Sequence, residues 1–193
     1  VLWSKRYVFP KYNYTIFRDV VQSSDDSYWV VGLAEDSSHT ANTLNRITGI
    51  LAHIDKYVNL TQSYAFDDSF RPHELRSFEG ISKMADGDFI RRGSSSSVGS
   101  VFIKELMLRI DDMGNVKWVA RIYSPDNSFG FGESSSVLQQ NDKIILGTFV
   151  LKRDVSTYQI LKQGYFLSGL DYATGRLKWN KTYEYYIGQI GTL

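Results

Sequence analysis

Short runs of β-branched and aromatic residues, each entered through a polar turn and closed by a glycine, recur along this chain. Asp25 to Gly32 (DDSYWVVG), Asp86 to Gly93 (DGDFIRRG) and Gln140 to Gly147 (QNDKIILG) share that construction. Polar turn, apolar run and glycine together mark a hairpin entry. A second set of runs ends on aspartate: GILAHID at Asp55, ELMLRID at Asp111 and FLSGLD at Asp171. A third set follows each of these. WSKRY at Trp3, LTQSY at Leu60, WVARIY at Trp118 and WNKTY at Trp179 recur at a period of about 58 residues.

Three landmarks in one order and at one period define a repeat of about four strands. The first unit is expected to place strands at 15–23, 28–34, 48–55 and 60–66. The second places them at 78–84, 88–92, 101–110 and 117–123, and the third at 134–139, 143–151, 163–170 and 177–185. The chain therefore divides into a leading strand (1–9), unit one (14–66), unit two (78–123), unit three (133–185) and a tail (186–193). It is a single all-β, antiparallel repeat array with no separate domain. Polar stretches at 35–46, 94–100 and 152–161 are expected to be loops.

The most informative turn runs from Gly169 to Trp179, GLDYATGRLKW. Asp171 can bond its own turn backbone, Gly175 can take the positive φ of a short loop, and Trp179 offers a flat surface on the returning strand. Asp171, Thr174, Gly175 and Trp179 stand in a D-x-x-T-G-x-x-x-W arrangement that resembles the blade repeat of pyrroloquinoline-quinone-type β-propellers and of related secreted propeller repeats. The resemblance implies that the tryptophan docks between adjacent blades. Unit two keeps Asp111, Gly114 and Trp118 with a turn one residue shorter, and unit one keeps Asp55 but carries Leu60 at the tryptophan position. Quinoproteins of that kind hold a quinone and a calcium ion on the axis of an eight-bladed ring. No matching ligand set is legible here, so neither the activity nor a cofactor is carried over.

Three units fall short of the four to eight blades of a closed propeller. The end faces of such an array pair with whatever comes next. The expected partners are further blades of the same protein or other copies of the chain. An initial Val without a signal-like segment suggests a processed protein or a piece of a longer one.

Composition narrows the chemistry further. The 193 residues are 15% aromatic with three prolines, which suits many short strands. A formal charge of +1, with no basic run longer than a pair such as Arg91–Arg92, gives no nucleic-acid footprint. No apolar run has the length of a membrane-spanning helix. Without cysteine there is neither a disulfide nor a thiolate metal site.

Candidate chemistry is sparse. Sequons at Asn13, Asn59 and Asn180 would accept N-glycans in a eukaryotic secretory route, or are chance occurrences of a short motif. Strand alternation sets Asn59 and Asn180 opposite the docking position, so glycans there would point outward. His39, His53 and His73 lack metal-ligand spacing. The doublets Asp25–Asp26, Asp67–Asp68 and Asp111–Asp112 suit turns better than calcium. Ser94–Ser97 and Ser134–Ser136 lack a nucleophile elbow. Tyr183, Tyr185 and Tyr186 suit either blade packing or a sugar-stacking surface. Trp3, Trp118, Trp179, Asp55, Asp111, Asp171, Gly32, Gly93, Gly147 and Gly175 are assigned to the repeat itself. The resulting expectation is a non-catalytic scaffold of a secreted or cell-surface glycoprotein, making protein contacts or assembling into an extracellular fibre. The alternative is part of a larger propeller enzyme or ligand-binding protein whose site lies in other blades.

Overall fold

The computed structural model describes residues 4–9, 12–35, 47–66, 74–97, 104–123, 129–154 and 159–186. It is all-β, with three four-stranded antiparallel sheets in an open, propeller-like array. Blade one comprises β1 (Tyr14–Gln22), β2 (Tyr28–Glu35), β3 (Ile47–Ile54) and β4 (Leu60–Phe66). Blade two comprises β5 (Glu74–Lys83), β6 (Phe89–Ser97), β7 (Lys104–Ile110) and β8 (Val116–Ile122). Blade three comprises β9 (Phe129–Gln140), β10 (Lys143–Arg153), β11 (Ile160–Asp171) and β12 (Leu177–Tyr186). Each sheet is a simple meander in chain order. The first strands stand side by side, with β5 touching both β1 and β9.

Strand alternation gives each residue one of two faces, and in blade two both are buried. Phe78, Phe89, Leu106, Leu108 and Ile110 pack against Trp29, Val31, Leu51 and Phe66 of blade one. Ile90, Met107, Trp118 and Ile122 pack against Ile144, Leu146, Phe166, Leu170 and Tyr172 of blade three. In β7 the apolar positions therefore run on consecutively from Leu106 to Leu108, as expected of a sheet covered on both sides, whereas in β6 only Phe89 and Ile90 do so before Arg91 and Arg92.

The recurrent glycine at the end of the second strand has a steric cause. The pairing of β1 with β2 slips between Phe17 and Asp19, and that of β5 with β6 slips between Phe78 and Gly80. Each slip is a β-bulge that drives the first strand against its neighbour. A Cβ on Gly32 would lie 1.9 Å from the Ile16 carbonyl oxygen, and one on Gly93 would lie 1.9 Å from that of Ser77. At Gly147 the nearest atom among the described residues is a Leu167 methyl at 3.3 Å, which can move aside. The bulged residues Arg18 and Glu79 form an ion pair at 3.6 Å, and Asp19 accepts the Ile81 N–H at 3.0 Å, so the bulges of adjacent blades are tied together.

Three expectations require correction. Residues 4–9 form no strand; they lie over the outer face of blade one, held by side chains and without a backbone ladder. The serine run 94–97 belongs to β6, where it pairs with 74–77 of β5, because the ladder continues past Gly93. β9 starts at Phe129, so Ser134–Ser136 lie inside a strand and not at its entry. Residues 36–46 and the stretches 98–100 and 155–158 lie outside the described residues, as do residues 1–3 with Trp3 and the tail from 187 onward.

The bulge geometry predicts a graded glycine series. Gly32→Ala and Gly93→Ala should each destabilise the protein by about 1–3 kcal/mol, as overpacking against backbone does. Gly147→Ala should shift the urea midpoint much less. Equal losses at all three positions would contradict the steric account.

Candidate functional site

The third and fourth strands of each blade are joined by a turn built on the recurrent aspartate. Asp55 Oδ1 accepts the N–H groups of Tyr57 and Asn59, and Asp111 Oδ1 accepts those of Met113 and Asn115. Asn59 and Asn115 each return a side-chain N–H to the other carboxylate oxygen. In the longer third turn Asp171 Oδ1 accepts both the N–H and the hydroxyl of Thr174. Every turn has one residue in the left-handed region: Val58 at φ 67°, Gly114 at 87° and Gly175 at 69°.

The turns of blades two and three receive an aromatic side chain from the preceding blade. Trp118 of β8 lies against Gly175, where an added Cβ would come within 2.6 Å of the indole Cδ2. Its Nε1 donates to the Tyr172 carbonyl at 3.0 Å. Arg109 donates to the same carbonyl at 3.0 Å, stacks on the Tyr172 ring, and reaches Asp86 and Asp88 of its own blade. Lys117 donates to Asp88 as well, so the acidic turn between β5 and β6 is neutralised locally. Burial raises the Tyr172 hydroxyl well above its usual range, and the Asp86 carboxylate it bonds raises it further. Asp86 itself is lowered, because its bonds from Tyr172, Asp88 and Arg109 outweigh its partial burial.

Blade one presents a different side chain to blade two. With Leu60 at the tryptophan position, Trp29 of β2 and Tyr64 of β4 meet Gly114, at 2.9 and 3.2 Å from where a Cβ would stand. Trp29 is 1% exposed and packs at a tilt against His53, with the ring centroids 4.6 Å apart. His53 bonds the hydroxyls of Ser27 and Thr61, each at 2.7 Å, and so has two protein partners. The YWVV run gave no sign that its Trp replaces the one missing at Leu60.

Blade three has the same construction with nothing against it among the described residues. Trp179 lies flat over Gly169 of its own sheet and is 43% exposed, whereas Trp118 is 8% exposed. The cross-strand register aligns Leu138, Ile145, Gly169 and Trp179 in one row and Phe149, Tyr165 and Tyr183 in another, all on one face. Leu138, Tyr165 and Tyr183 are each about half exposed or more, and Lys181 lies over the Tyr183 ring. The side chains of Tyr185 and Tyr186 fall outside the described set.

The sequon asparagines differ in their surroundings. Asn13 and Asn180 are exposed, and Asn180 projects from the face of β12 opposite Trp179. Asn59 is exposed too, but its side chain is engaged: its nitrogen bonds Asp55 and its oxygen accepts from Lys5. Of the acidic doublets, Asp25 accepts the N–H and hydroxyl of Ser27, and Asp111 works in its turn as described. Asp67–Asp68, His39 and His73 lie outside the described residues. No group of three potential metal ligands occurs among the described residues.

Arg91 is a residue the sequence did not single out for its true position. It is fully buried between the blades, its guanidinium 3.6 Å from the Phe78 ring centroid and 4.3 Å from that of Phe66. No hydrogen-bond acceptor meets its three nitrogens, and burial draws its pKa well below the usual arginine value. Two aromatic faces are its compensation.

No protein-family model matches the chain, and no curated protein matches it. Among solved structures it is similar to the crystal structure of a "putative hydrolase" from Bacteroides ovatus, at 12% identity and a TM-score of 0.39. The match covers 87% of this chain and 44% of that one, so the chain spans less than half of the neighbour's length.

The turn aspartates predict acid sensitivity. Hydrogen bonds from Thr174, then the Lys178 ammonium, hold Asp171 at about 2, below the 3.8 of a free aspartate. Its contribution to stability is present above the unfolded value and is lost as pH falls through the folded one. A carbon-detected NMR titration should place its midpoint near 2, and Asp171→Asn should flatten the decline of the urea midpoint between pH 4 and 2. A midpoint at 3.8 would remove the turn bonds from the account.

Proposed function

We propose that this chain is a non-catalytic, propeller-type repeat scaffold whose role is protein contact, made through the exposed face of blade three. The observation that carries this reading is the contrast between two equivalent tryptophans. Trp118 is sealed beneath the next blade's turn, and Trp179, at the same place in its repeat, is open. The partner is a further blade or another copy of the chain. Self-assembly into a fibre is the extended form of the same contact, since a heterologous interface that does not close propagates. The exposed Asn13 and Asn180 support a secreted or cell-surface glycoprotein, and a glycan on Asn180 would leave the Trp179 face free. The D-x-x-T-G-x-x-x-W turn favours kinship with quinoprotein-type propellers at the level of the blade, without their cofactor or activity.

The test is an intact mass of the natural protein under denaturing conditions, before and after N-glycan removal, followed by light scattering of the native form. A glycan mass, together with association that Trp179→Ala weakens, is expected. An unmodified chain whose native contacts ignore Trp179→Ala would overturn the reading.

A further inference from the structure

The two ends of the array carry the same short motif. Residues 3–7 read W-S-K-R-Y and residues 179–183 read W-N-K-T-Y, identical at Trp, Lys and Tyr. The corresponding strands of blades one and two, LTQSY and WVARIY, do not share the W-x-K-x-Y pattern.

The structure shows what the first copy of the motif does. Lys5 Nζ donates to the Val58 carbonyl at 2.6 Å and to the Asn59 side-chain oxygen at 3.1 Å, and the Tyr7 hydroxyl donates to the Val58 carbonyl at 3.0 Å. Tyr7 and Phe9 both set their rings edge-on to Phe17. On the outer face of blade one beneath this segment, Val30, Ile50 and Ala52 are buried. Val58 is the left-handed residue of the turn that in blades two and three receives the preceding blade's aromatic side chain. Residues 4–9 therefore occupy, in the same chain, the place of a preceding blade's outer strand.

The second copy of the motif is unengaged among the described residues. Trp179, Lys181 and Tyr183 alternate onto the exposed face of β12, and Lys181 lies over Tyr183 at 4.9 Å as Lys5 lies over Tyr7 at 5.8 Å. We infer that blade three of one copy docks on the outer face of blade one of a second copy, with Lys181 and Tyr183 taking over the Val58 carbonyl that Lys5 and Tyr7 hold. Residues 4–9 are then an internal competitor that keeps the docking face closed until it is displaced. Two copies joined in this way would bring together six sheets, within the range of closed propellers. The inference rests on the proposed role of blade three as a contact surface and adds the identity of the partner and the control of the contact.

A competitor of this kind lowers apparent affinity by the fraction of molecules in which it is displaced. Weakening it should strengthen association. In light scattering over a concentration series, the variant Lys5→Ala/Tyr7→Phe should self-associate at a concentration about tenfold below that of the natural chain, the effect expected for three lost hydrogen bonds at the weak end of their range. Removal of residues 1–9 should do so more strongly. Adding Trp179→Ala and Tyr183→Ala to either variant should restore monomers, and a peptide of residues 1–9 should inhibit association of the truncated chain. Dimers and longer assemblies both support the docking. The inference is overturned if the double variant associates no better than the natural chain. It is equally overturned if association of the weakened variants persists without Trp179 and Tyr183. If Trp179→Ala disrupts contact with some other protein while the Lys5/Tyr7 variant changes nothing, the contact surface stands and only its self-docking fails.

Discussion

The array depends on one repeated contact, an aromatic side chain pressed against a left-handed turn of the next sheet. The turn forms because an aspartate bonds the N–H groups that would otherwise be unpaired, and it leaves a flat place where a Cβ is missing. Trp118 fills that place at Gly175 and gains a hydrogen bond to the Tyr172 carbonyl. Truncating a buried side chain of this size costs about 3–5 kcal/mol. Without the contact, each four-stranded meander would expose one or both apolar faces, and no single sheet could hold its own core.

Polar groups at the blade interfaces serve the same packing. Arg109 bridges two aspartates of its own blade to a carbonyl of the next, so its charge is paired while its plane covers Tyr172. Arg91, on the opposite face, is packed between two phenylalanines without hydrogen bonds. Replacing such a buried ion by an apolar side chain is often neutral or stabilising. The bulges near the inner strands add a second tie, through Arg18 to Glu79 and Asp19 to Ile81.

Much of the architecture was legible because its cause is local. Polar turn, apolar run and glycine gave twelve strands in the right order, since turn chemistry and period-2 alternation act within a few residues. What the sequence hid was set by distant neighbours. Trp29 replaces the tryptophan missing at Leu60 only because the sheet brings β2, across β3 from β4, to the same turn of the next blade. The serines 94–97 lack apolar character yet lie in β6, because their ladder partners extend that far. Residues 4–9 carry a strand-like sequence, but among the described residues no strand pairs with them, so side chains and not a ladder hold them. Asp19 and Arg91 gave no local signal, because each acts across a blade boundary.

The central claim is that indole and turn glycine act as one unit across the boundary between blades two and three. A double-mutant cycle on Trp118→Ala and Gly175→Ala measures it directly. Alone, Gly175→Ala places a methyl group within 2.6 Å of the indole and strains a residue at φ 69°. With the indole removed, only the backbone strain should remain. The two losses in urea stability are predicted to be non-additive by about 0.5–3 kcal/mol, the combined variant being less damaged than the sum of the two. Additive losses would mean that the tryptophan and the glycine stabilise their blades separately, and the docking account would be wrong.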